Sequence, residues 1–323
     1  MDELLAHRYQ PTELLGTGGA ASVYRALDKN LGRDVAIKIF SSTTSDDDDY
    51  RRQHTETLLL STLNHPGLVT LHDAGLHHDD SGKTTGFLVM ELVDGQDLRR
   101  LLKFGPLAPD DVAQVGADLA DALSYIHSQG VIHRDVKPAN ILMFHSSEQD
   151  TRLYPKLTDF GIARMVEATV ATATGATIGT ANYLSPEQAQ GSPIEPRTDI
   201  YSLGLVLLEC LTGEKAFPGH VVEAAVARLL RDPEVPASLG EEWHDLLTRM
   251  TARNPEHRPD AHEVAVALRA HVNETADDDG VPASMPPAPL NPPSADSPDT
   301  WTGGVTTGNL HIPEPPAQAP SLG

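Results

Sequence analysis

The chain has 323 residues and one cysteine, with a formal net charge of −22, which allows one to three domains around a large core. That charge, with a pI near 4.9, excludes nucleic acid and anionic membrane surfaces as partners, because both demand clustered Lys and Arg. Cys210 lies in the apolar run 203–211 and reads as a buried small hydrophobe rather than half of a disulfide.

Met1-Asp2-Glu3-Leu4-Leu5 lacks the basic and apolar regions of a secretory signal. No run reaches the eighteen or so apolar residues of a membrane span, so the expected location is cytoplasmic. Residues 9–39 read as strands around a glycine loop: Leu14 and Leu15 precede Gly16-Thr17-Gly18-Gly19, and Ser22-Val23-Tyr24 follow. Glycines there let backbone amides approach phosphates without an intervening Cβ. The strand Asp34-Val35-Ala36-Ile37-Lys38-Ile39 carries one lysine among apolar neighbours; a lone strand lysine is usually a snorkelling surface residue. The acidic run Asp46-Asp47-Asp48-Asp49 suits a solvated loop or a helix N-terminus. A helical pattern over 50–63 stops at Asn64-His65-Pro66-Gly67, and strands are expected at 68–71 and 87–91. The polar stretch 77–83 between them is expected as a loop; its His77-His78 pair has no further ligand at metal spacing.

Val112, Val115, Leu119, Leu123 and Ile126 recur at three- and four-residue steps, marking an amphipathic helix that ends at Ser128-Gln129-Gly130. The chemistry concentrates next, in His133-Arg134-Asp135-Val136-Lys137-Pro138-Ala139-Asn140 and in Asp159-Phe160-Gly161. Asp135 can accept a hydroxyl proton and Lys137 can neutralise a transferring group, while Asn140 and Asp159 offer the hard oxygens magnesium prefers. Residues 144–152 look like an enlarged hairpin tip, a place where insertions are tolerated. The Ala-, Thr- and Gly-rich stretch 168–177 has no apolar periodicity, and an apolar helix opens near Thr198-Asp199. Beyond Val272 an acidic run leads into a Pro-dense segment without Lys or Arg, a composition that stays disordered because it buries too little apolar area.

These motifs, in this order over residues 9–272, resemble the bacterial eukaryotic-like serine/threonine protein kinases. The resemblance implies an α+β, bilobal protein-kinase fold: a small antiparallel sheet lobe with one helix at about 1–92, a mainly helical lobe at about 93–272, and a disordered tail over 273–323. It implies ATP and Mg²⁺, with Mn²⁺ as a possible substitute, and protein substrates bearing Ser or Thr. Lys38 becomes the phosphate anchor, held by Glu56; Leu15, Gly16, Thr17, Gly18, Gly19, Val23 and Ala36 cover the nucleotide; Met90 is the gatekeeper. Glu91 to Val93 form the hinge, Asp97 reaches the ribose, and Leu142 joins Asn140 and Asp159 on the nucleotide's far side. Ala21 and Ser185 depart from the family's third loop glycine and its Ala-Pro-Glu signature.

Hydroxyl specificity is carried by Lys137 and Thr180. Asp199 is expected to hold the catalytic loop, Glu187 to pair with Arg258 in the interior, and Leu60, Leu71, His133 and Phe160 to form a hydrophobic spine. Arg134 offers a guanidinium to a phosphate on Thr172 or Thr174, with Thr169 and Thr177 as weaker candidates. Pairing of two copies for autophosphorylation is common among such kinases. Two other readings compete: a pseudokinase scaffold that binds nucleotide without turnover, and a small-molecule phosphotransferase of the aminoglycoside type, which shares the His-x-Asp-x-x-x-x-Asn loop but lacks the Asp-Phe-Gly and Pro-Glu segments found here.

Overall fold

The computed structural model describes residues 4–18, 21–40, 61–78, 84–147, 149–159 and 181–278. Glu56, Gly19, Leu60, Phe160, Thr169, Thr172, Thr174, Thr177, Thr180 and the tail from 279 lie outside them, as do residues 50–60 of the helix expected over 50–63 and the acidic run at 46–49 that precedes it.

The small lobe is a five-stranded antiparallel sheet in the order β1-β2-β3-β5-β4, built from β1 (Tyr9–Thr17), β2 (Ala21–Asp28), β3 (Arg33–Phe40), β4 (Leu71–His78) and β5 (Thr84–Met90). Its core is Tyr9, Ala26, Val35, Ile37, Phe87 and Val89. Alternating side chains of β1, β2 and β5 meet there, and β3 in the middle is buried over Val35-Ala36-Ile37. β1 shifts register against β2 between Pro11 and Glu13 and again between Leu14 and Gly16. Such bulges bend a strand, and these two curve it where the glycine loop begins.

The expected strand at 68–71 is corrected. Val69 N donates to Leu157 O at 2.9 Å and Leu157 N donates to Gly67 O at 2.8 Å, so the backbone of 67–69 is paired with the other lobe and β4 starts only at Leu71. Leu63 and Leu68 accordingly pack into the large lobe's core. His77 and His78, expected in a loop, extend β4 and pair with Thr85 and Thr84.

In the large lobe a short sheet joins β6 (Gln96–Asp97), β7 (Ile141–Phe144) and β8 (Tyr154–Leu157), whose hairpin tip is the enlarged loop at 144–152. Seven helices are described: α1 (Leu98–Leu101), α2 (Pro109–Ser128), α3 (Pro186–Gln190), α4 (Arg197–Thr212), α5 (Val221–Leu230), α6 (Glu241–Met250) and α7 (Ala261–Asp278). Pro109 at the start of α2, with Asp110 and Asp111 in the first turn, is favoured at a helix N-terminus. Gly130, at φ 74°, turns the chain away at its end.

Every residue of α4 from Thr198 to Leu211 is buried, as expected of a helix that is apolar on all faces, and Cys210 lies within it, its thiol pKa pushed up by burial. Gly116 lets α2 approach α4 and α7 closely: a Cβ there would sit 2.9 Å from Leu268 Cδ1 and 3.1 Å from Leu207 Cδ2. α7 runs to Asp278, past the boundary expected at Val272. Polar residues alone do not stop a helix, and the first breakers in the sequence are Gly280 and Pro282. Among the described residues, no helix is long and apolar enough to cross a membrane.

Candidate active site

Asp135, Lys137 and Asn140 fall on the turn between α2 and β7. Lys137 Nζ lies 2.7 Å from Asp135 Oδ2. Asn140 Nδ2 donates to the same oxygen at 3.0 Å and to the Asp135 carbonyl at 2.9 Å. Two donors on one carboxylate oxygen fix the rotamer of Asp135 and leave Oδ1 for a further partner. Asp159 follows β8, and its Oδ1 is 2.7 Å from Lys38 Nζ on β3. The two groups are joined through the backbone: Thr158 N donates to Asn140 O at 2.9 Å, and His133 Nε2 lies 3.0 Å from Thr158 O.

His133 is fully buried. Its Nδ1 accepts from Asp135 N at 3.3 Å, so Nε2 carries the proton donated to Thr158, and burial lowers its pKa. A neutral ring that props the loop agrees with the expectation of a core residue. Leu71, its expected neighbour in the spine, packs partly buried against the large lobe's core.

The loop itself is tethered by Asp199 at the start of α4. Its Oδ2 accepts His133 N at 2.8 Å and its Oδ1 accepts Arg134 N at 2.7 Å. His127 Nε2, 2.9 Å from the same Oδ2, completes the tether. Sequence reasoning missed His127. A signal existed, since 127 continues the 119, 123 step of the buried face of α2, where a polar ring needs a partner.

Below the loop, Arg258 grips Glu187 at 2.7 and 2.9 Å in a bidentate pair, Thr198 Oγ1 donates to Glu187 at 2.7 Å, and the guanidinium stacks 4.8 Å over the Tyr201 ring. Burial raises the Glu187 pKa, but the guanidinium and hydroxyl more than offset it and hold the carboxyl below its usual range. Ser185, where the family has Ala, caps α3: its Oγ accepts Gln188 N at 3.2 Å.

On the nucleotide side, Ala36 pairs with Met90 and Val23 with Lys38 across the sheet. Gly16 and Thr17 end β1, Leu15 beside them is exposed, and Gly18 N donates to the carbonyl of Ala21 at 2.8 Å. Lys38, Leu68, Leu71, Leu88, Met90 and Asp159 border a small pocket. That space lies behind Met90, and neither Val23 nor the hinge lines it.

Glu91, expected to open the hinge, has its carboxylate held by Lys156 Nζ of β8 at 2.9 Å, a contact sequence reasoning also missed. Val93 is half-buried and Leu142 pairs with Asp97 and Lys156. Asp97, expected at the ribose, caps α1 by accepting Arg100 N at 3.1 Å and pairs with Arg99 and Arg100, each at 3.3 Å. The Asx cap satisfies an orphan amide of the helix, which accounts for an Asp at this position.

An aspartate aimed by a lysine and an asparagine, with a second aspartate on a strand lysine, is a set that suits phosphoryl transfer. Residues 9–267 match the family model described as the protein kinase domain. The chain belongs to that family. Among its relatives are the serine/threonine-protein kinases PknB of Mycobacterium leprae, 38% identical over 274 residues, and PknB of Mycolicibacterium smegmatis, 39% identical over 275; each match covers 82% of this chain and 42% of the relative. PknA of Mycobacterium tuberculosis is 36% identical over 258 residues, 79% of this chain and 58% of the relative. The chain thus spans roughly two fifths to three fifths of the length of these relatives.

Members of the family use ATP with a divalent ion. The donor set here suits one: Asn140 turns its amide nitrogen to Asp135, which leaves its side-chain oxygen available, and Asp159 keeps Oδ2 beside the Lys38 contact. Two hard oxygens are too few for a dedicated protein cage and match an ion completed by water and substrate phosphates.

Proposed function

We propose that this chain is an ATP-dependent serine/threonine protein kinase that transfers the γ-phosphoryl group of ATP to Ser and Thr hydroxyls of proteins. The supporting observation is the pair of linked clusters, Asp135-Lys137-Asn140 and Lys38-Asp159, drawn from both lobes onto one cleft. Positioning and charge neutralisation carry such a reaction, with little covalent work for the protein.

In this reading Asp135 orients the incoming hydroxyl and takes its proton late, since a carboxylate is a weak base toward an alcohol. Lys137 balances charge on the moving phosphoryl group. Lys38 exchanges part of its contact with Asp159 for the α- and β-phosphates. Glu56 is its expected second partner. When held by Asn140 and Asp159, Mg²⁺ supplies neutralising charge along the phosphate chain, with Mn²⁺ as a substitute.

Val23, Ala36, Met90 and the backbone of Glu91 to Val93 are assigned to adenine, and Lys137 with Thr180 to hydroxyl specificity. Autophosphorylation on Thr172 or Thr174, in a pair of copies, and a cytoplasmic location complete the proposal; regulation then acts by giving Arg134 a phosphate to bind.

The test is transfer of labelled phosphate from ATP to a general protein substrate. Asp135→Ala is expected to lower transfer at least about 100-fold while the thermal unfolding midpoint stays at the wild-type value. Equal labelling by the folded variant overturns the reading.

A further inference from the structure

We propose that Gln188 is a positioning residue for phosphoryl transfer: its side-chain amide holds the Arg134 carbonyl and thereby fixes the turn that aims Asp135 into the cleft. The inference rests on the kinase reading above.

Arg134 has φ 66°, in the left-handed region that side chains other than glycine rarely adopt. The residue after it is Asp135, so the aim of the carboxylate depends on this one unfavourable backbone state. A turn of that kind persists only when its surroundings hold it. On the amide side the hold is Asp199, which accepts Arg134 N at 2.7 Å. On the carbonyl side it is Gln188, whose Nε2 donates to Arg134 O at 2.7 Å.

The same Gln188 side chain has a second task at its other end. Its Oε1 accepts Ser185 N at 3.0 Å while Ser185 Oγ accepts Gln188 N at 3.2 Å, a reciprocal cap on α3. Glu serves such a cap as well as Gln does. Only Gln can also donate, and the Arg134 carbonyl is what uses the donation. A carboxylate at 188 would keep the cap and place negative charge against a carbonyl oxygen. The residue therefore couples α3, anchored one position earlier by Glu187 on Arg258, to the strained turn beside the catalytic carboxylate.

The decisive variant is Gln188→Glu, with Gln188→Met as its control, each measured for kcat and KM against wild type across pH. The charged groups around this turn, Arg134, Asp135, His133, Glu187 and Asp199, are the same in every form, so ratios to wild type at each pH isolate position 188. At alkaline pH, Gln188→Glu is expected to lower kcat about 10-fold or more, as misaimed catalytic groups do. KM for ATP should move less than about twofold, and the unfolding midpoint should stay unchanged because the cap survives. As pH falls the carboxyl takes up a proton, donates again, and the deficit against wild type should narrow; Gln188→Met should show a deficit that is flat with pH.

Wild-type kcat in Gln188→Glu at alkaline pH overturns the inference. So does a Gln188→Glu deficit that does not change with pH and tracks a lowered unfolding midpoint, since both then report the cap alone. A wild-type chain that transfers no phosphate overturns the kinase reading, and this inference falls with it.

Discussion

Two ion pairs of equal length divide the labour in this molecule. Lys38 and Asp159 in the cleft, and Arg258 and Glu187 at the base of the large lobe, both meet at 2.7 Å. Their surroundings differ: the side chains are 13% and 33% exposed in the cleft, against 0% and 8% at the base. Distance is therefore a poor guide to what a pair does. Water competes for the cleft pair, so its members can exchange partners at modest cost. The base pair has no such competitor, and losing one member strands a charge in the interior.

The largest expected effect breaks the base pair. Arg258→Ala leaves the Glu187 carboxylate buried and should cost about 3–5 kcal/mol of stability, read as a lower urea midpoint with unchanged slope. The double variant Glu187→Gln with Arg258→Met should recover a good part of that loss, because no lone charge remains.

Breaking the cleft pair should have the opposite profile. Lys38→Met is expected to lower phosphate transfer about 100-fold or more, the scale of losing one fixed charge from a reacting site. Stability should change by no more than about 1 kcal/mol. A variant that unfolds as readily as Arg258→Ala would erase the distinction between the two pairs.

A smaller effect comes from pH, through the histidine that props the cleft. Burial holds the His133 pKa below its ordinary 6.5, and the same cause acts on the less buried His65 and His72. Below pH 6.5 the unfolded chain takes up protons that the folded one refuses, so stability falls as pH drops from there toward the folded-state pKa values. Each such group contributes up to about 1.4 kcal/mol per pH unit in that window. Calorimetry should show a lower unfolding midpoint in mild acid than at neutrality, and His133→Phe should reduce the difference.

The smallest effect is expected at Arg249 and Asp245, an exposed i, i+4 pair at 2.9 Å. Asp245→Asn should shift stability by at most about 0.5 kcal/mol. Its thermal midpoint, set beside that of Arg258→Ala, completes the scale from exposed to buried.

How much of this was legible in the chain follows from how local each feature is. The catalytic turn was legible because Asp135, Lys137 and Asn140 lie within six consecutive positions, where spacing nearly determines mutual geometry. The helix α2 and the buried α4 were legible from periodicity and from a strongly apolar run. The strand expected at 68–71 failed because pattern alone does not say which lobe a short apolar run joins, and its amides went to Leu157. The helix cap made by Asp97 was not legible, because it depends on where α1 begins. His127, Lys156 and Gln188 escaped notice since each is an ordinary polar residue until its partner is known.

The amino-acid order by itself determined which side chains can do chemistry, the local turns and periods that present them, and the family to which they belong. The fold alone decided that Lys38 meets Asp159 across 121 positions, that Gly67 to Val69 is stitched to the opposite lobe, and that His127 joins His133 and Arg134 on the Asp199 carboxylate. The reason is physical: a side-chain period reports what neighbours along the chain will do. Which distant donor finds which acceptor depends on the path of the backbone between them.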